Sequence, residues 1–159
     1  MRSRPLLCLM VIGALAAPIT AQARQPVGKA ALDAIAPLDG SIQRARLGLM
    51  GVTFEEVQAG RLLSFVGPDI TVGTCDGRVY AVTRMLGDMA ADGLNAVMLI
   101  TSIAGAPRSR QVKAFGTPGA QDLQFYWDAI PEYHIDVIRT DVSWSASEST
   151  ERQDTCKGI

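Results

Sequence analysis

The sequence predicts an α+β fold: an antiparallel sheet of about five strands, two helices packed on one of its faces, and one disulfide. Three observations predict it. A mainly apolar stretch at helical spacing occupies residues 88–104, in the middle of the chain. Strand-like segments joined by turn signals lie on both sides of it. Two cysteines, Cys75 and Cys156, remain once a removable leader is set aside. A helix flanked by runs of strands favours helices segregated to one face of an antiparallel sheet with short connections.

The leader comes first. Arg2 and Arg4 form a basic start, Leu6 to Ala17 form an apolar run, and Ala21-Gln22-Ala23 presents small residues to a signal peptidase. This order marks residues 1–23 as a secretory signal peptide and is too short for a spanning helix. The expected destination is the periplasm or the medium of a bacterial cell. Two of the 15 basic residues and none of the 16 acidic ones lie in the leader, so the remainder is mildly acidic. It has no basic block, which argues against nucleic acid and anionic membrane surfaces as partners. Cys8 falls inside the apolar run and leaves with it; a lipidation role would need a full apolar region before it. Cys75 and Cys156 are expected to pair in an oxidising compartment. Closing a loop of that length is worth about 4–5 kcal/mol in the chain-entropy account.

Residues 24–46 read as a flexible lead-in, because Pro26, Gly28, Pro37 and Gly40 interrupt the Ala30, Leu32, Ile35 pattern after one or two helical turns. The single α+β domain is expected to span residues 47–159. Thr53 and Glu56 make a capping box, with Val52 and Val57 spaced as a hydrophobic staple, so a short helix is expected from Thr53 to Gly60. A hairpin follows, with strands at 70–75 and 78–84 around the type I′ pair Asp76-Gly77. Its two-residue loop puts Ile70, Val72, Thr74, Val79, Ala81 and Thr83 on one face and lays Tyr80 over Gly73. The main core helix runs from Asp88 to Ala104, with Gly93 marking a close approach to the sheet. Gln111 to Phe115 is a modest strand, Gly116 to Gly119 a turn, and Leu123, Phe125 and Trp127 alternate with Gln124, Tyr126 and Asp128 as a half-buried strand. Tyr133 to Trp144 is expected as one strand with a bulge near Val137, where the apolar phase changes. The Ser-rich segment from Ser143 to Glu151 reads as a surface loop, and Arg152 to Cys156 as a tail.

The run Leu49-Met50-Gly51-Val52-Thr53-Phe54-Glu55-Glu56-Val57, leading into a Cys-Asp-Gly-Arg-Val hairpin, resembles small secreted helix–hairpin modules. Such modules occur in the BamE-like small lipoprotein family and, in tandem, in the β-lactamase inhibitory proteins. The resemblance covers residues 47–85 and implies protein binding without catalysis. This chain has no anchoring cysteine like that of the first family, and no inhibitory residues that match the second.

Chemistry-bearing motifs are sparse. No dinucleotide fingerprint, phosphate loop or calcium loop is present, and no cofactor and no metal are expected. His134 is the one histidine; on a strand Glu132, His134 and Asp136 would share a face. A His-x-Asp pair is short of the three protein ligands that catalytic metal sites use. No G-x-S-x-G elbow accompanies the serines of 143–149. The helix-free face is expected to display Arg78, Tyr80, Gln124, Tyr126, His134 and Asp136 to solvent as a binding surface, since Tyr and Arg favour binding hot spots. The predicted function is therefore an exported binding module, its partner another envelope or secreted protein. The alternative is a small extracytoplasmic hydrolase-like enzyme using His134 and Asp136.

Overall fold

The computed structural model describes residues 23–113 and 119–152. Helices α1 (Lys29–Ile35) and α2 (Ile42–Gly48) precede four strands, β1 (Glu55–Ala59), β2 (Leu62–Val66), β3 (Ile70–Cys75) and β4 (Arg78–Gly87). Helix α3 (Ala90–Ala104) follows. Then come β5 (Arg108–Lys113), β6 (Gln121–Tyr126), β7 (Tyr133–Arg139) and β8 (Trp144–Glu151). All pair antiparallel in one sheet, in the order β1-β2-β3-β4-β8-β7-β6-β5. Each half is a meander of sequential hairpins, and the halves join where β4 pairs with β8.

The expected five strands and two helices are thus corrected to eight strands and three helices among the described residues; the segment 24–46 adds α1 and most of α2, and three further segments account for the rest of the difference. Thr53 to Gly60 is not a helix. Ala59 pairs with Leu62 across a Gly60-Arg61 turn, with Gly60 at φ 59°, and β1 takes five partners on β2. The Glu56 carboxylate bonds Arg46 instead of reaching back to Thr53. A capping box adds about 1 kcal/mol, less than a strand ladder with Phe54 packed edge-on against Phe65. Second, the Ser-rich segment is β8, a central strand rather than a surface loop. Third, the phase change after Val137 is a chain reversal and not a bulge. The Thr140 hydroxyl accepts from the backbone N–H groups of Val142 and Ser143 and closes the β7–β8 turn.

The predicted type I′ turn is present, with Asp76 at φ 49° and Gly77 at φ 81°. A bulge interrupts the ladder beyond it. Thr74 faces Val79, but Gly73 faces Ala81 and Val72 faces Val82. Val82 therefore joins the core face in place of Ala81. Tyr80 lies over Gly73 as expected: a Cβ there would stand 2.7 Å from the ring. The predicted Cys75–Cys156 bridge involves a residue outside those described. Cys75 is buried at the end of β3, and Cys156 lies outside the described residues. Residues 1–22 of the predicted signal peptide, Cys8 with them, and Gly116-Thr117-Pro118 also lie outside.

The three helices cover one face. Helix α3 lies mainly over β7, β8 and β4, and α1 over β8 and β4. Gly93 sits where a Cβ would come 2.5 Å from Val137 Cγ2 and 3.1 Å from Ala146 Cβ, so the helix packs against the sheet as closely as predicted. Residues 24–46, read as a lead-in, supply α1 and most of α2 and bury Leu32, Ala36 and Ala45. One buried carboxylate fixes their start. Glu148 on β8 accepts from the backbone N–H groups of Val27 and Gly28, from Tyr133 Oη at 2.9 Å and from Arg84 Nη1 at 2.8 Å. Among the described residues no helix is long and apolar enough to cross a membrane.

Candidate functional site

Strand alternation sorts the second half of the sheet into two unlike faces. Ile135, Val137, Ala146 and Glu148 point toward the helices. The intervening residues point to the helix-free face: Asp122, Gln124 and Tyr126 from β6, His134 and Asp136 from β7, Ser147, Ser149 and Glu151 from β8. Register places them side by side, with Tyr126 facing His134, which faces Ser149, and Gln124 facing Asp136, which faces Ser147.

This face was expected to be displayed to solvent. It is not. Asp122, Gln124, His134, Asp136, Ser147 and Ser149 are all buried, although none of α1, α2 and α3 lies on this face. They bury one another beneath a stack of longer side chains. The Arg110 guanidinium lies 4.7 Å over the Tyr126 ring, and that ring is 5.3 Å from the imidazole of His134. On β6 the usual order is inverted, because polar Asp122 and Gln124 are buried while Leu123 on the helix side is exposed.

Burial of so many polar groups demands partners, and they are present. Gln124 Nε2 donates to Asp122 Oδ2 at 2.8 Å and to Asp136 Oδ1 at 2.9 Å, bridging the two carboxyls. Its Oε1 accepts from Arg110 Nε at 2.8 Å and from the Tyr126 hydroxyl. Asp136 Oδ2 lies 3.2 Å from His134 Nε2, 3.4 Å from Ser149 Oγ and 3.5 Å from Ser147 Oγ. Ser149 Oγ also bonds Thr83 Oγ1 at 3.0 Å, tying the network to the first half of the sheet. Asp122 Oδ1 is buried without a partner among the described residues.

The electrostatics follow from this crowding. Burial, then the charge of Asp136, pushes the Asp122 carboxyl up to about 7, against the smaller effect of Gln124. Burial alone would lower the His134 imidazole. The hydrogen bond and charge of Asp136, with Glu151 and Asp122 behind them, reverse that and hold it above its ordinary value. Tyr126 is raised to about 12, mainly by burial.

At the Tyr126–His134 end the network opens into a cavity of about 680 Å³. Tyr126, Trp127, Tyr133, His134 and Glu151 line it, with the ion pairs Arg108–Asp128 and Arg152–Glu132 at its edge.

The structure brings together Tyr126, His134 and Asp136, with Gln124, but not Arg78. Arg78 is exposed at the β3–β4 turn, where Nη1 donates to the Asp39 carbonyl and holds the α1–α2 loop. Tyr80 sits on the flank, and burial followed by the Glu151 charge raises its phenol. Glu132 does not share the face of Asp136; at φ 67° it precedes β7 and pairs with Lys29 and Arg152. A Ser-His-Asp relay is not formed either, since both serine hydroxyls meet Asp136 and neither meets His134. Among the described residues no group of three or more His, Cys, Asp and Glu side chains is placed to hold a metal ion.

Sequence reasoning missed Arg110, Asp122, Ser147, Ser149 and Glu151. A signal was there: Asp122-x-Gln124-x-Tyr126, His134-x-Asp136 and Ser147-x-Ser149-x-Glu151 are polar alternations of period two, the pattern of strands sharing a polar face. No family model matches the chain, and no curated protein or solved structure matches it significantly.

Proposed function

We propose that this protein is an exported, non-catalytic binding module, periplasmic or secreted, that holds another envelope or secreted protein at the cavity end of its helix-free face. The observation that carries this reading is that Asp136, Ser147 and Ser149, the groups a relay with His134 would need, are bonded to one another. Asp136 is bonded through both oxygens, and the serines are turned to the acid rather than to the imidazole. A network of this kind shapes and stiffens a surface. The cavity beside it offers aromatic rings and charged groups, the composition of a binding hot spot. The Arg2–Ala23 leader supports the exported part of the reading. A photo-crosslinking residue placed at Tyr126 tests it in cells of the source bacterium. A discrete adduct to an envelope or secreted protein is expected, with none from the same probe at Ser102 on the outer side of α3. Absence of an adduct from Tyr126, Trp127 and Arg152 alike would end the proposal.

One observation favours an enzyme as the second reading: His134 is buried 3.2 Å from Asp136 and also borders the cavity. Turnover of chromogenic ester or peptide substrates that disappears in His134→Gln would favour it over binding.

A further inference from the structure

We infer that the cavity takes a guanidinium or alkylammonium group, carried on a basic side chain of the partner protein, with Glu151 as its counter-ion. The inference deepens the binding reading and rests on it. The charges around the cavity are matched almost completely. Arg108 holds Asp128, Arg152 holds Glu132 and Asp39, and His134 holds Asp136. Among the described residues Glu151 is the exception. Its nearest cationic atom is His134 Nε2 at 3.9 Å, and that nitrogen lies closer to Asp136. The Glu151 side chain is 36 % exposed, so it reaches the cavity from a strand whose backbone is fixed. Its field is felt around it, since it opposes ionisation of both Tyr80 and Tyr126.

The walls suit a cation. Tyr126, Trp127 and Tyr133 border the space, and aromatic rings attract ammonium and guanidinium groups. A peptide-borne Arg or Lys supplies the cation that Glu151 lacks, on a stem long enough to enter the cavity. An anion is the poorer guest, because it would meet the Glu151 carboxylate. The volume of about 680 Å³ is ample for one long side chain and its peptide unit.

The test titrates the mature chain at low salt with N-acetyl-arginine amide, N-acetyl-lysine amide, N-acetyl-citrulline amide and N-acetyl-glutamate amide, followed by two-dimensional amide NMR. Saturable shifts at residues 126–134 and 151 are expected for the two cationic amides. The neutral citrulline isostere should bind at least tenfold more weakly, and the acidic amide not at all. Glu151→Gln should lose at least tenfold in affinity for the arginine amide while Glu151→Asp keeps most of it, both with unchanged thermal transitions. Citrulline binding as well as arginine, or Glu151→Gln binding like the parent, overturns the inference. Free arginine binding more tightly than its blocked amide would overturn the partner-borne source in favour of a small solute. Crosslinking from Tyr126 is read independently, so binding of a partner without cation preference would sink this inference and spare the broader one.

Discussion

Asp122 has its carboxyl where ionisation is costly, and the consequence is a pH dependence of definite sign. Its ordinary value is 3.8, and in the fold it is raised to about 7. Between those values the folded chain keeps a proton that the unfolded chain releases, so stability falls as pH rises through the window. His134 acts in the same direction. Its raised value contributes stability below the ordinary 6.5 that is lost as pH climbs through the folded value. The urea midpoint should therefore drop between pH 5 and pH 8.5. Asp122→Asn, which fixes the neutral form, should flatten that slope and stabilise the protein at pH 8.5 by on the order of 1–2 kcal/mol. A variant less stable than the parent at every pH would show that Asp122 is needed as a charged acceptor. The sequence reading of His134 as a displayed residue implies that His134→Ala leaves folding nearly intact. The structure implies the opposite: His134 is 4 % exposed and bonded to Asp136. Equilibrium unfolding of His134→Ala should show a loss of about 1–3 kcal/mol, from the cavity and the carboxylate left behind.

Among the elements, α3 was the most legible and β8 the least. Helix α3 is long, lacks internal proline and is read from its own residues. Gly93 even announces its closest approach to the sheet, although Leu94 and Met98 in the same apolar stretch are exposed. Gly93→Ala sets two effects against each other. Helix propensity gains about 1 kcal/mol, while the new methyl meets Val137 and Ala146 inside contact distance, an overpacking that costs about 1–3 kcal/mol. The clash should win, giving a net loss in chemical denaturation; a gain would mean that α3 shifts outward freely. Strand β8 shows no apolar alternation, because one of its faces meets the polar network and the other carries Ala146, Glu148 and Thr150. Serine and threonine are read as loop formers when no neighbours are known. Likewise the local signals for a helix at Thr53 were sound, and pairing with β2 overrode them.

At the scale of the molecule, two meanders become one sheet only through β4 and β8, and α1 is fastened to that seam by Glu148. Amide exchange should be slowest in β8 and β4 and fastest in β1, an edge strand with every residue exposed. Glu148→Gln keeps the shape but removes the charge that Arg84 and two backbone N–H groups meet, and should cost about 2–4 kcal/mol. The same variant should speed exchange and proteolysis around residues 24–30 before the global transition; loss of stability without that local release would place the role of Glu148 elsewhere.

What the chain specifies locally could be read from it: the Asp76-Gly77 turn, the Tyr80 ring over Gly73, helix α3, and the polar period-two residues at His134 and Asp136. Those depend on a few neighbouring residues and their intrinsic preferences. The strand count, the centrality of β8 and the gathering of Asp122, Gln124, His134, Asp136, Ser147 and Ser149 into one buried network were decided by tertiary pairing. A strand obtains its hydrogen bonds, and a buried carboxyl its partners, from residues far away along the chain, and no local pattern records which ones they will be.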